Sequence, residues 1–252
     1  MADNEDRELR EPGGKLRLFI EGSLVEGARL EPSPQQAHYL LRVMRARRGD
    51  RVFVFNGRQG EWLAEIGEAS RSECMLTCVR CITMQREVPD VWLVFAPIKK
   101  TASDYIAQKA TELGVRALQP VFTRRTVVHR INRERMRANA IEAAEQSGRL
   151  SVPEVREAIE LDQLLQFWPK DRRIIFCDEA GGTPIADSLA AADIGAWAIL
   201  TGPEGGFEVT EREMIRANPL AVPVSLGGRI LRADTAALAA LSIWQAMLGD
   251  WR

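Results

Sequence analysis

Two segments of this 252-residue chain combine residue types and spacing suited to chemistry. The first is Leu200-Thr201-Gly202-Pro203-Glu204-Gly205-Gly206-Phe207. The second, about twenty residues on, is Ser225-Leu226-Gly227-Gly228-Arg229-Ile230-Leu231-Arg232-Ala233-Asp234-Thr235-Ala236. In each, a short apolar run feeds a glycine-rich turn and a helical pattern follows. Glycine accepts φ > 0 and lets backbone N–H and C=O groups come close to a ligand. Ligands of open α/β sheets sit outside the carboxyl ends of the strands. Two such loops on one sheet edge make a pocket walled by backbone, suited to an adenosine-like cofactor. A phosphate cradle of the P-loop kind is excluded, because neither loop ends in Gly-Lys-Ser/Thr.

The elements that must carry these loops alternate. From Val91 the pattern runs strand 91–96, helix 103–113 closed by Gly114, strand 117–122 and helix 133–147. Strand 173–177, helix 185–191, strand 197–200, helix 210–216, strand 222–225 and helix 234–248 complete it. Alternating β and α implies a parallel sheet with helices on both faces. Before residue 85 the rhythm differs. Short strands at 18–20, 51–55, 61–66 and 74–82, a hairpin-type turn at Asn56-Gly57 and one helix, Pro34 to Arg45 behind Ser33, fit a small β-barrel. The boundary falls at residues 85–89. Residues 1–14 are polar and acidic, without the apolar core of a secretory signal, and read as a disordered tail.

Net charge is −1 and no apolar run approaches the length that spans a bilayer. The charge is nevertheless unevenly placed. Residues 42–51 hold five arginines against Asp50, and residues 116–137 hold seven against Glu134. Local basic patches, not total charge, govern phosphate contact; two solvated helix faces would explain the same pattern equally well. Cys78 and Cys81 form a CxxC within a strand-like run and lack a second ligand pair, and His38 and His129 have no metal-spaced partner. No metal site is expected. Free thiols fit a cytoplasmic protein.

The loops resemble those of the RsmE-type small-subunit ribosomal RNA methyltransferases of the knotted SPOUT superfamily. Three further blocks resemble the same family: His38-Tyr39-Leu40-Leu41-Arg42-Val43-Met44-Arg45 with Gly49-Asp50, Lys109-Ala110-Thr111-Glu112-Leu113-Gly114-Val115, and Thr123-Arg124-Arg125-Thr126 followed by Glu145-Gln146-Ser147-Gly148-Arg149. Gly228 stands where Pro or Arg is more usual, and Asp234 where Glu is usual. The resemblance implies a SPOUT-type parallel sheet with a C-terminal trefoil knot over residues 88–252, preceded by a PUA- or OB-like RNA-binding barrel over 15–85. It implies S-adenosylmethionine as cofactor, N3 of a uridine in 16S ribosomal RNA as acceptor, naked or in the assembled subunit, and a homodimer. A knotted enzyme acting on tRNA, or a non-catalytic RNA-binding module, would share much of this pattern.

Carried onto this chain, the family assigns the cofactor to Leu200, Thr201, Gly202, Glu204, Gly205, Gly206, Leu226, Gly227, Ile230, Leu231 and Arg232. A branched side chain at Gly205 is expected to block binding. Arg232 is the expected catalytic cation, stabilising charge on the uracil or neutralising a phosphate. Glu204 is expected to orient the base, accept its proton or bond loop N–H groups. Arg42, Arg45, Lys99, Lys100, Lys109, Arg124, Arg125 and Arg149 are the expected RNA contacts. The last helix, Asp234 to Leu248, is apolar on nearly every face and must be covered all round, by its own core or by a second copy of the chain.

Overall fold

The computed structural model describes residues 7–11, 14–70 and 73–252. The chain divides into two compact units, residues 1–87 with 144–152, and residues 88–143 with 153–252.

In the first unit, β1 (Arg10–Glu11) and β2 (Gly14–Lys15) pair antiparallel. β3 (Arg17–Phe19), β4 (Arg29–Leu30), β5 (Arg51–Phe55), β6 (Glu61–Ala69) and β7 (Cys74–Thr83) form one mixed sheet in the order β3-β5-β6-β7-β4. Alternating residues of the strands, such as Val52, Val54, Ala64, Ile66 and Leu76, meet in one core. β5 and β6 are joined by a turn in which the Asn56 carboxamide oxygen accepts from the Arg58 and Gln59 N–H groups, and Gly57 takes φ +80°. Cys78 faces the core of this unit.

Two expectations need correction here. The amino-terminal segment is not a free tail throughout. Leu9 is buried in the core, the Arg7 guanidinium pairs with Asp50 at 2.6 Å, and Arg7 and Leu9 share backbone hydrogen bonds with Arg51. Apolar burial and an ion pair hold what composition alone reads as polar chain. Residues 1–6 and 12–13 lie outside the described residues. The helix expected to reach Arg45 is α1 (Pro34–His38), capped by Ser33, running into a wider π-type turn over Tyr39–Val43. It ends where Arg45 turns to φ +52°, a conformation that cannot continue a right-handed helix.

Within this unit, Arg17 ties the strands to residues 144–152. Its Nε donates to Glu61 at 2.5 Å, and its Nη atoms donate to the carbonyls of Ala144, Glu145 and Arg149. Carbonyls at a helix end have no partner of their own; here one buried guanidinium supplies it.

The second unit contains β8 (Val91–Phe95), α2 (Lys100–Glu112), β9 (Ala117–Phe122), α3 (Arg133–Ser147), β10 (Glu154–Val155), β11 (Ile159–Glu160) and α4 (Leu161–Gln166). β12 (Arg172–Cys177), β13 (Thr183–Pro184), α5 (Ile185–Ala190), β14 (Ala196–Thr201), α6 (Val209–Ala217), β15 (Ala221–Ser225) and α7 (Ala233–Met247) follow. The last residues of α3, from 144 on, belong to the first unit. The sheet is parallel at every pairing, in the order β10-β9-β8-β14-β12-β15-β13, with β11 also beside β9.

Its strands are buried on both faces, as their unbroken apolar runs predict. Val91, Leu93, Phe95, Ile175 and Ile199 face α2, α5 and α7; Trp92, Val94, Ile174, Ala198 and Leu200 face α4 and α6. The pieces the sequence does not signal are β10, β11, β13 and α4. The strands among them are two residues long and α4 has only six, too short to show a period. Among the described residues, no helix is long and apolar enough to cross a membrane.

Candidate active site

Three parallel strand ends lie side by side. β12 sits between β14 and β15, and β8 is the next neighbour beyond β14. Their carboxyl ends open onto a cavity of about 680 Å³, on the face of the sheet that carries α2 and α7. This is a size ordinary for a small-molecule site.

The first wall follows β14. Thr201 and Gly202 line the cavity, with Pro203 and Glu204 beyond them. The loop is set from behind by Phe207, whose buried ring meets Phe176 edge-on at 5.3 Å. A Cβ at Gly202 would come within 2.7 Å of the Phe207 ring. Gly206 takes φ +67°, and a Cβ there would overlap both carboxylate oxygens of Glu179. Leu200 does not line the cavity. It points to the opposite face of the sheet, into the core with Phe207 and Ile215, because side chains alternate along a strand. Gly205 and Gly206 also stand outside the lining: the Gly205 carbonyl accepts from Arg125 Nη1 at 2.9 Å, and Gly206 is buried.

The second wall follows β15. Leu226, Gly227, Gly228, Arg229, Ile230, Leu231 and Arg232 line the cavity. Gly227 takes φ +104°, its N–H donating to Ser225 Oγ. Arg232 occupies the N-cap position of α7 with extended backbone and an exposed side chain that makes no capping bond. Ile230 is 99% exposed, an apolar side chain held at the cavity rim.

The third wall was not signalled by a glycine motif. After β12 the chain runs Cys177-Asp178-Glu179-Ala180-Gly181, all in the lining. The Asp178 carboxylate is buried and held by Arg216 of α6, Nε at 2.9 Å and Nη2 at 2.6 Å, while it accepts from the Ala180 N–H. Arg216 also donates to the Gly181 carbonyl. The loop is thus pinned from outside the cavity, and Glu179 projects from it. The available clue was topological, since every strand of a parallel sheet presents its carboxyl end at the same edge. Ile98 and Ala102, where β8 passes into α2, complete the lining on the apolar side.

Burial pushes the Cys177 thiol up to about 12. Relative to an ordinary thiol this is about a thousandfold less thiolate, the reactive form. Cys177 is therefore expected to resist iodoacetamide at pH 8 in the native protein while reacting readily once denatured. Rapid native alkylation at this position, read by mass spectrometry, would contradict the raised thiol pKa.

Around the site, Glu211, which is not among the residues expected from sequence, organises two loops. Its buried carboxylate accepts from the N–H of Glu208 at the start of α6 and from the N–H of Arg124 in the turn after β9. A Glu three residues after the cap is the signal that could have found it. The Arg124 and Arg125 side chains are exposed, Arg124 with its Nε 3.8 Å from Glu208. Lys99 is exposed at the N-cap of α2, and Lys109 pairs with Glu112 at 2.7 Å on the same helix. Arg42 and Arg45 are exposed on the π-type turn and its exit, in the first unit, where Arg149 also belongs, its Nε donating to Ser151. The side chain of Lys100 lies outside what the structure describes.

A cofactor-sized cavity at adjacent strand ends, rimmed by arginines, belongs to a class that sequence comparison makes specific. Residues 85–245 match the model of the RNA methyltransferase domain, and residues 33–76 match the RNA methyltransferase PUA domain. Among similar proteins, the ribosomal RNA small subunit methyltransferase E of Rickettsia conorii is 31% identical, over 90% of this chain and 93% of the relative. That of Synechocystis is 32% identical, over 92% and 78%. The crystal structure of a ribosomal RNA small subunit methyltransferase E from Neisseria gonorrhoeae bound to S-adenosyl methionine superposes with a TM-score of 0.84 at 27% identity, covering 94% of this chain and 99% of that one. The chain belongs to the ribosomal RNA small subunit methyltransferase E family.

Proposed function

We propose that this protein transfers a methyl group from S-adenosylmethionine to N3 of an unpaired uridine in small-subunit ribosomal RNA, in the cytoplasm, where that RNA resides. The observation that carries this reading is the cavity at the ends of β12, β14 and β15, walled by backbone and rimmed by Arg232, in a chain of this family. The fit is supported by its volume, by the apolar side made of Ile98, Ala102 and Leu226, and by the polar side made of Glu179, Glu204 and Arg232.

S-adenosylmethionine supplies a methyl group activated on a sulfonium. The protein's part is to hold the acceptor in line with it, which provides a large share of the rate. Uridine N3 carries a proton at neutral pH, and its loss spreads negative charge onto the ring carbonyl oxygens. The Arg232 guanidinium stabilises that charge where it develops. Glu204, exposed beside the loop, orients the base or accepts its proton. N3 lies on the Watson–Crick edge, so the uridine must be splayed out of any helix. Arg124, Arg125, Lys99, Lys100 and Lys109 of the second unit, and Arg149, Arg42 and Arg45 of the first, are the proposed contacts to the RNA backbone.

A trefoil knot and a homodimer complete the reading. α7 follows β15 yet packs on α2, α5, β14 and β8, which supports its passage back beneath the sheet. Along it Ala237, Ala240, Leu241 and Trp244 are buried, whereas Leu238, Ala239 and Ser242 stay partly exposed beside Tyr105. That uncovered stripe supports contact with a second copy.

The test is transfer from labelled S-adenosylmethionine to small subunits lacking the modification, to their naked RNA and to bulk tRNA, with mass-spectrometric mapping. A 3-methyluridine in subunit or ribosomal RNA is the expected product; label confined to tRNA would replace the substrate. Cofactor binding by glycine variants adds a second check. Gly206→Val forces a β-branched side chain onto φ +67° and into Glu179, and is expected to weaken S-adenosylmethionine more than about tenfold. At Gly205, where a block by valine was expected, a Cβ meets Arg125 no closer than 3.4 Å, so Gly205→Val should weaken binding less than Gly206→Val by calorimetry. Equal effects at the two positions would contradict this assignment of the wall.

A further inference from the structure

The turn after β9 is bonded to the segment that follows β14. Thr123 and Thr126 are buried and brace the turn from within, the Thr123 N–H donating to Thr126 Oγ1 at 2.9 Å, while the Arg124 and Arg125 side chains are exposed. β9 lies beside β8, and β8 beside β14, all parallel, so the turn stands at the same sheet edge as the cavity. Two hydrogen bonds cross over β8. Arg125 Nη1 donates to the Gly205 carbonyl at 2.9 Å, an exposed bond that water can replace. The Arg124 N–H donates at 2.8 Å to Glu211, 87 residues away in sequence. Glu211 is 4% exposed, and its other carboxylate oxygen accepts from the Glu208 N–H at 2.9 Å. Capping the start of α6 takes only one of those oxygens; the other is committed to the arginine turn. Bonds to a charged acceptor are the strong ones, so this tie sets where the turn stands relative to the loop over 202–207.

We infer that Glu211 is a positioning residue for methyl transfer: it registers the Arg124–Arg125 turn, which holds the RNA, against the loop that walls the cofactor cavity, so that the acceptor base arrives in line with the methyl group. The inference rests on the methyltransferase reading. Glu211 lies outside the cavity lining and acts through backbone N–H groups, not on the reacting atoms. Its loss leaves Arg124 and Arg125 on the chain, and it leaves Phe207 packed on Phe176 behind the first glycine loop. Each reactant therefore keeps its own contacts, and what is lost is their mutual register. In-line transfer is sensitive to that register, a displacement of about 1 Å costing on the order of a hundredfold.

The experiment is single-turnover methyl transfer by the full chain and by Glu211→Ala, Glu211→Gln and Thr126→Val. The probes are S-adenosylmethionine with small subunits lacking the modification, or with their naked RNA, both reactants saturating. Affinities for S-adenosylhomocysteine and for the same RNA substrate are measured on the same preparations. Glu211→Ala is expected to slow transfer about ten- to a hundredfold while both affinities stay within a few-fold. Glu211→Gln, which keeps one acceptor oxygen for two N–H groups, should fall between it and the wild type. Thr126→Val loosens the same turn from inside and leaves Glu211 in place. It should show the same pattern to a smaller degree, and it decides the question should the Glu211 variants not fold. A role in folding alone would lower the active fraction and leave the rate constant of the folded protein unchanged; that result would overturn the inference. So would a loss of transfer accounted for by weaker binding of either reactant. Failure of the wild-type chain to methylate subunit or RNA would instead bring down the methyltransferase reading, and this inference with it.

Discussion

Arg232→Ala is expected to cut methyl transfer to the RNA by about 10²–10³-fold or more, the scale on which loss of a single charge-stabilising donor acts. Cofactor affinity should stay within a few-fold. The structure separates the two effects. Arg232 sits at the N-cap of α7, but its side chain caps nothing and is exposed, so alanine there removes the guanidinium and leaves the helix start in place. The second glycine loop, which forms the cavity wall with backbone, also persists. An interaction made only as charge develops lowers kcat, whereas one made equally with bound substrate raises KM. Arg232→Lys keeps the charge without the planar fork and should fall between the two. Turnover near the wild-type rate in Arg232→Ala would remove this residue from the catalytic role. A large rise in KM for RNA with kcat unchanged would make it a phosphate contact.

Arg17→Met should be the most destabilising of the conservative-volume substitutions in the first unit, costing about 3–5 kcal/mol, the range for breaking one side of a buried ion pair. Arg17 and Glu61 side chains are 7% and 9% exposed and 2.5 Å apart. Removing the guanidinium strands the carboxylate in a buried site. It also strips the carbonyls of Ala144, Glu145 and Arg149 of their donors and removes the cation lying 4.5 Å from the Phe55 ring centre. The double variant Arg17→Met, Glu61→Leu should regain a substantial part of the loss, because both buried charges are then gone. Urea unfolding of the three proteins checks this. A cost below about 1 kcal/mol for the single variant would show that water reaches Glu61 and that the pair is not truly buried.

The sequence by itself determined the alternation of strands and helices from residue 91 onward and the two glycine loops. These are local matters. Unbroken apolar runs such as Val91–Phe95 report a strand buried on both faces, and glycines such as Gly206 and Gly227 report backbone at positive φ. The five family blocks likewise carry the class of protein in local sequence.

Tertiary structure decided what depends on which elements become neighbours. Leu200 and Thr201 are adjacent in sequence, yet strand alternation sends one into the core beside Phe207 and the other to the cavity. The wall after β12 carries no glycine fingerprint in the sequence and gains its meaning only because that strand inserts between β14 and β15. Glu211 and Arg216 act across loops far apart in the chain. The amino-terminal residues Arg7 and Leu9 owe their order to Asp50 and the first core, not to any propensity of their own. Composition and periodicity sense neighbours within a few residues. Strand order and long-range pairing arise from the burial of whole surfaces, and those bring Glu179, Arg232 and the glycine loops to one cavity.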